Sequence, residues 1–79
     1  MTNQQILNEL HQRGYDILLI HETELDYIRV QFHGKFAVDY YELPRVYSSC
    51  YTNEEIRQEC AYELMHWAGY EIQECIVIK

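Results

Sequence analysis

Glu55, Glu59 and Glu63 recur at four-residue spacing. On a helix that spacing puts all three on one side, about 6 Å apart per step from the 1.5 Å rise per residue. Like charges at i,i+4 oppose helix formation by a few tenths of a kcal/mol per pair. Tyr62 and His66 border the stripe, and Trp67 lies at its inner edge. A second acidic set, Glu22, Glu24 and Asp26, shares a side if the chain there is extended. Carboxylates spaced along a rigid element can occupy a groove that a partner lines with Lys and Arg for phosphates. The field steers such a protein in, and aromatic side chains hold it. The chain has 8 tyrosines, which give large contact area at low entropic cost. The pattern leaves Tyr27, Tyr41, Tyr47, Tyr51 and Tyr62 pointing outward. The plainer reading is a solvated acidic face that serves solubility, with tyrosines that suit half-buried strands.

Other chemistries find less support. Cys50, Cys60, Cys75 and His66 include no Cys-x₂₋₄-Cys pair, and Cys60 and His66 fall on opposite sides of their helix, so no metal site is expected. Cys50 precedes a helix, where a thiolate is favoured, but Glu54 and Glu55 in the first turn would raise its pKa. There is no Gly-x-Ser-x-Gly and no His-Glu-x-x-His, and 3 glycines cannot build a phosphate loop. A non-enzymatic protein without cofactor is the expectation. The 6 basic residues are scattered against 13 acids, a net charge of −7 that argues against direct nucleic-acid binding. No signal peptide is visible, and the longest aliphatic runs, residues 17–20 and 76–78, are far short of a membrane span. A cytosolic protein with reduced cysteines follows, since their number is odd and no export signal is seen.

These side chains need a scaffold, and the periodicity of 79 residues supplies one domain, 1–79. Residues 3–13 read as an amphipathic helix through Ile6, Leu7 and Leu10, with Thr2 or Asn3 as cap and Gly14 as stop. Residues 15–21 read as a strand with Ile17 and Leu19 on one face and Leu18 and Ile20 on the other. Residues 27–32 alternate, Ile28, Val30 and Phe32 inward. A third strand is expected at 36–41, with a three-residue loop pairing Phe32 with Phe36 and Val30 with Val38. Residues 42–51, with Pro44, read as a loop. Thr-x-x-Glu from Thr52 to Glu55 opens a helix over 53–68, with Ile56, Cys60, Leu64 and Trp67 inward. Gly69 ends it, and 70–78 read as a last strand. The expected fold is α+β, in the order α-β-β-β-α-β, an antiparallel sheet with helices mainly on one face. Leu18, Ile20, Cys75 and Val77 would then form an apolar patch on the other face. Such a patch marks an interface, so a homodimeric adaptor or regulatory module is the alternative.

The opening Gln5-Ile6-Leu7-Asn8-Glu9-Leu10 and Gly14-Tyr15-Asp16-Ile17, with the element order, size and acidity, resemble small phage-encoded type II-A anti-CRISPR proteins that inhibit Cas9. The resemblance covers residues 1–41; the chain departs from that family in its expected last strand and in lacking a dense acidic C-terminus. It implies mimicry of duplex DNA at the site that reads the protospacer-adjacent motif. The α-β-β-β-α layout is also similar to double-stranded-RNA-binding domains, but those need a basic helix start, and Asn53-Glu54-Glu55 repels phosphate. The expected activity is therefore to bind and block a basic nucleic-acid-binding surface of a partner, such as a nuclease. Glu55, Glu59, Glu63, Glu22, Glu24 and Asp26 would carry the charge, with Tyr62 and His66 as anchors.

Overall fold

The computed structural model describes residues 2–69. They form α1 (Asn3–Gln12), β1 (Asp16–Glu22), β2 (Tyr27–His33), β3 (Tyr40–Ser48), α2 (Asn53–Glu59) and α3 (Ala61–Ala68). The strands make one antiparallel sheet in the order β1-β2-β3. The expected α+β class is therefore observed. The expected strand at 70–78 lies outside the described residues, as do Cys75 and Val77.

Both predicted helix starts are built by the same device. The Thr2 and Thr52 hydroxyls accept the Gln5 and Glu55 N–H groups, each at 3.1 Å. The Gln5 and Glu55 side chains accept the Thr2 and Thr52 N–H groups at 2.8 and 2.9 Å. Each box satisfies donors that the first helical turn leaves unpaired. Gly14, at φ +96°, turns the chain out of α1 into β1, and the Tyr15 N–H closes onto the Leu10 carbonyl at 2.9 Å.

The central strand β2 buries Ile28, Val30 and Phe32. Ile17, Leu19 and His21 lie opposite them on β1, and Tyr41 and Tyr47 oppose Phe32 and Ile28 from β3. Ile6 and Leu10 of α1, Ile56 of α2 and Leu64 and Met65 of α3 pack into the same core. Fully burying an aliphatic or aromatic side chain contributes roughly 1.5–3 kcal/mol, so this one face carries the fold. The sheet's edges are both blunted. On β1, Arg57 of α2 donates to the Ile17 carbonyl at 3.0 Å. On β3, Pro44 removes an N–H within a bulge. Such features keep an edge from pairing with another chain.

Two expectations are corrected. The third strand is Tyr40–Ser48, not 36–41, and Phe32 opposes Tyr41 rather than Phe36. Two apolar runs compete for one edge of β2. The later one wins because it brings Leu43 and Tyr47 into the core. Phe36 and Val38 are left 71% and 89% exposed. They lie in a six-residue loop, 34–39, closed by a Gly34 N–H bond to the Asp39 carbonyl at 2.7 Å. Between Arg29 and Gln31 the partner on β3 moves from Val46 to Glu42. That inserts two extra residues, so the alternation of side chains survives.

The helix expected over 53–68 is two helices, broken at Cys60. The Gln58 carbonyl accepts Asn3 Nδ2 at 2.8 Å, a tertiary bond that competes for a helical acceptor at the break. Ile56, Cys60 and Leu64 are buried as the periodicity requires, and Trp67 packs partly buried against them.

A Cβ on Gly14 would add backbone strain at positive φ and would lie 2.8 Å from Lys35 Cγ. Gly14→Ala is expected to destabilise by roughly 1–2 kcal/mol. In a domain this small each kcal/mol lowers the melting temperature by about 4–8 °C. An unchanged thermal midpoint by circular dichroism would contradict this account of the α1–β1 turn.

Candidate functional site

The structure joins the two acidic sets that are thirty residues apart in the chain. The β1–β2 turn holds Glu24, Leu25 and Asp26, with Asp26 at φ 63°. The Ser49 hydroxyl donates to the Asp26 carboxylate, and the His21–Asn53 bond ties the end of β1 to the start of α2. The backbone at one end of the molecule therefore carries Glu24, Asp26, Glu54 and Glu55, with Glu59 one turn further along α2; the Glu54 carboxylate itself accepts Gln58 Nε2 at 3.0 Å and lines a pocket with Gln4, His11 and Arg57 on the α1 side. None of these five carboxylates pairs with a cation among the described residues. Leu25 stands 65% exposed between Glu24 and Asp26. Sequence reasoning missed Glu54 and Leu25, because neither belongs to a stripe; only the packing of turn against helix start groups them.

The expected stripe is not three equivalent solvated charges. Glu55 is committed to its capping box. Glu59 accepts the Tyr47 hydroxyl at 3.1 Å. Glu63 lies beyond the helix break and takes both Arg45 Nη atoms, one at 2.9 Å. The Arg45 bond holds the Glu63 carboxyl below the usual carboxylate range. Arg45 also donates to the Tyr47 hydroxyl at 3.1 Å, which lies 3.6 Å from Cys60 Sγ. Tyr47 is buried, contrary to its expected outward position, and burial pushes its pKa up to about 12. Burial likewise pushes the Cys60 thiol up, which disfavours the nucleophilic thiolate.

Tyr62, Glu63 and His66 lie along α3, away from the acidic end. They form one wall of an open groove of about 480 Å³ between α3 and β3. Tyr41, Pro44 and Arg45 form the other, over a floor of Phe32 and Leu43, with Trp67 at the α3 side. The predicted anchors thus belong to a second surface, which the misplaced third strand had hidden.

The helix-free face of the sheet carries Leu18 and Ile20 opposite Gln31 and Arg29. Leu18 is exposed and Ile20 half-buried. Its centre is ionic. Arg29 Nε donates to Glu42 at 2.8 Å and Nη1 to Glu22 at 2.9 Å, and Gln31 donates to Glu42 at 3.0 Å. Glu22, expected in the acidic edge, is instead ion-paired with Arg29, which it shares with Glu42. The Arg29 bonds draw the Glu42 pKa down to about 2.

Among the described residues no group of three His, Cys, Asp or Glu side chains could hold a metal ion. No helix of those residues is long and apolar enough to cross a membrane. No family model matches the chain, and neither curated proteins nor solved structures include a match to it.

Glu42 adds stability that is complete above its ordinary value near 4.5 and is lost as pH falls toward about 2. Glu42→Gln is expected to flatten the fall in denaturation midpoint across that window. Parallel curves for the two proteins would show that the Arg29 cluster does not couple to folding. Native-state alkylation at neutral pH, mapped by mass spectrometry, is expected to modify exposed Cys50 and spare buried Cys60. Equal labelling would contradict the packing at the α2–α3 junction.

Proposed function

We propose that this chain is a non-enzymatic acidic protein that binds a basic nucleic-acid-binding surface of a partner protein and blocks it. One observation carries the reading: carboxylates from the β1–β2 turn and from α2 converge on one end without cations among the described residues to neutralise them. A field of one sign on a rigid framework raises the encounter rate with a surface of the other sign. Leu25 supplies apolar contact within that field. The resemblance to type II-A anti-CRISPR proteins makes guide-loaded Cas9 the first partner to test, with this end standing in for duplex DNA.

A second reading uses the helix-free face, where Leu18 and Val46 are exposed on either side of the Arg29 cluster. In that reading the chain is a homodimeric adaptor, and its mass in solution would double with concentration.

Glu24→Lys combined with Glu54→Lys tests the first reading, since neither side chain is part of a cap or an ion pair. Fluorescence anisotropy of a labelled target duplex on guide-loaded Cas9 is the measurement, with capture from bacterial lysate at low and high salt beside it. The native chain is expected to displace the duplex and to retain nucleic-acid-binding proteins that salt releases. The double reversal is expected to weaken this about tenfold or more, or about 1.4 kcal/mol. Capture unaffected by salt and by the reversals would remove the acidic end as the binding surface.

A further inference from the structure

We infer that the groove between β3 and α3 receives the 34–39 loop of a second copy of this chain, in a reciprocal two-fold exchange that makes the protein a dimer through that end. Two features of one molecule carry the inference. The first is the loop. Val38, 89% exposed, and Phe36, 71% exposed, are the two most exposed large apolar side chains among the described residues. Their backbone is tied at the base, with the Gly34 N–H on the Asp39 carbonyl at 2.7 Å and the Asp39 N–H on the Phe36 carbonyl at 2.9 Å. The second is the groove. Tyr41, Leu43, Pro44, Tyr62 and Trp67 line it over Phe32, and its charged pair, Arg45 with Glu63, is satisfied internally. A lining whose charges are already paired favours an apolar occupant without net charge. The loop is such an occupant, since Lys35 and Asp39 offset one another around Phe36 and Val38. Tyr41 and Trp67 lean on buried Phe32, with centroids 6.3 and 6.0 Å away. The groove is therefore ordered before anything enters it, which removes a cost of binding.

Position, charge and area each fit a second copy. The loop runs straight into β3, and Tyr41 of the groove lies two residues beyond Asp39. Loop and groove thus share one end of the sheet. A partner related by a two-fold axis offers its groove where it receives a loop, and the contact closes at two copies. The net charge of −7 opposes association, but the carboxylates of the β1–β2 turn lie at the other end of β2. Over Tyr27–His33 that is about 20 Å at 3.3 Å per residue, against a screening length of about 8 Å at physiological ionic strength. Phe36, Tyr41 and Tyr62 are 71%, 43% and 49% exposed. At about 200 Å² per ring they remove roughly 650 Å² from water across the pair. Val38 and the groove floor carry the total toward the roughly 1,000 Å² that a specific interface clears. One loop in one groove removes only about half as much, so the exchange has to be reciprocal.

Trp67 is the only tryptophan and lines the groove, so its emission reads occupancy. Sedimentation equilibrium is expected to show the mass rising from one chain to two between about 1 μM and 1 mM, with Trp67 emission shifting over the same range. Phe36→Ser combined with Val38→Ser removes the apolar loop side chains without adding charge. It should raise the dimer dissociation constant at least about tenfold, while the chain melts like the native one at the lowest concentration. Tyr62→Ala should weaken the dimer about tenfold from the groove side. Leu18→Ser combined with Val46→Ser, on the helix-free face, should leave the mass curve unchanged, and so should Glu24→Lys combined with Glu54→Lys. These two controls separate the proposal from both readings of function above. The proposal is overturned by a single-chain mass at 1 mM, or by doubling of the mass without a change in Trp67 emission. A native mass curve for the Phe36 and Val38 double variant also overturns it. Loss of the dimer in the Leu18 and Val46 variant would place the interface on the sheet instead. Growth past two chains would mean an open head-to-tail contact rather than a two-fold exchange.

Discussion

β2 has to bury Ile28, Val30 and Phe32 on one side while lying between two other strands. Almost every other placement follows from that. A three-stranded sheet covers the edges of β2 but not its face, so α1, α2 and α3 must supply Ile6, Leu10, Ile56 and Leu64 from one side. The opposite face then needs no helix, and it is held by charge, with Arg29 between Glu22 and Glu42. The two extra residues in β3 are tolerated because an even insertion preserves parity. Tyr41, Leu43, Arg45 and Tyr47 consequently share the helix side, and Arg45 can reach Glu63.

That arrangement divides the carboxylates into two classes. Glu9, Glu22, Glu42 and Glu63 each meet an arginine. Glu24, Asp26, Glu54, Glu55 and Glu59 do not, and they gather toward one end. Exposed ion pairs contribute little to stability, with a median of about 0–1 kcal/mol. Their larger effect here is on the field: Arg29 offsets part of the charge of Glu22 and Glu42 on the sheet, Arg45 offsets Glu63 in the groove, and the carboxylates that meet no arginine lie at the β1–β2 turn and along α2. The exposed aromatic groove lies apart from them, so the molecule presents two surfaces of different chemistry.

How much of this was legible follows from the range of each signal. The capping box at Thr52, the inward face of β2 and the buried stripe of Ile56, Cys60 and Leu64 are local patterns. A capping box needs four residues, and a face needs only its own period. The third strand was not legible. Residues 36–41 and 40–48 each offer apolar side chains, and only the gain from burying Leu43 and Tyr47 decides between them. The break at Cys60 was hidden because it accompanies a bond from Asn3 to Gln58, two residues 55 positions apart.

The same division applies to the candidate sites. The sequence alone determined the net charge, the presence of the glutamate stripe and the helical neighbourhood of Tyr62 and His66, because these depend on composition and on the period of one helix. Tertiary structure decided which carboxylates stay unpaired, that Tyr47 is buried, and that Tyr41 and Trp67 share a groove with Tyr62. Those outcomes depend on strand register and on side chains reaching across elements, and no single segment of the chain encodes either.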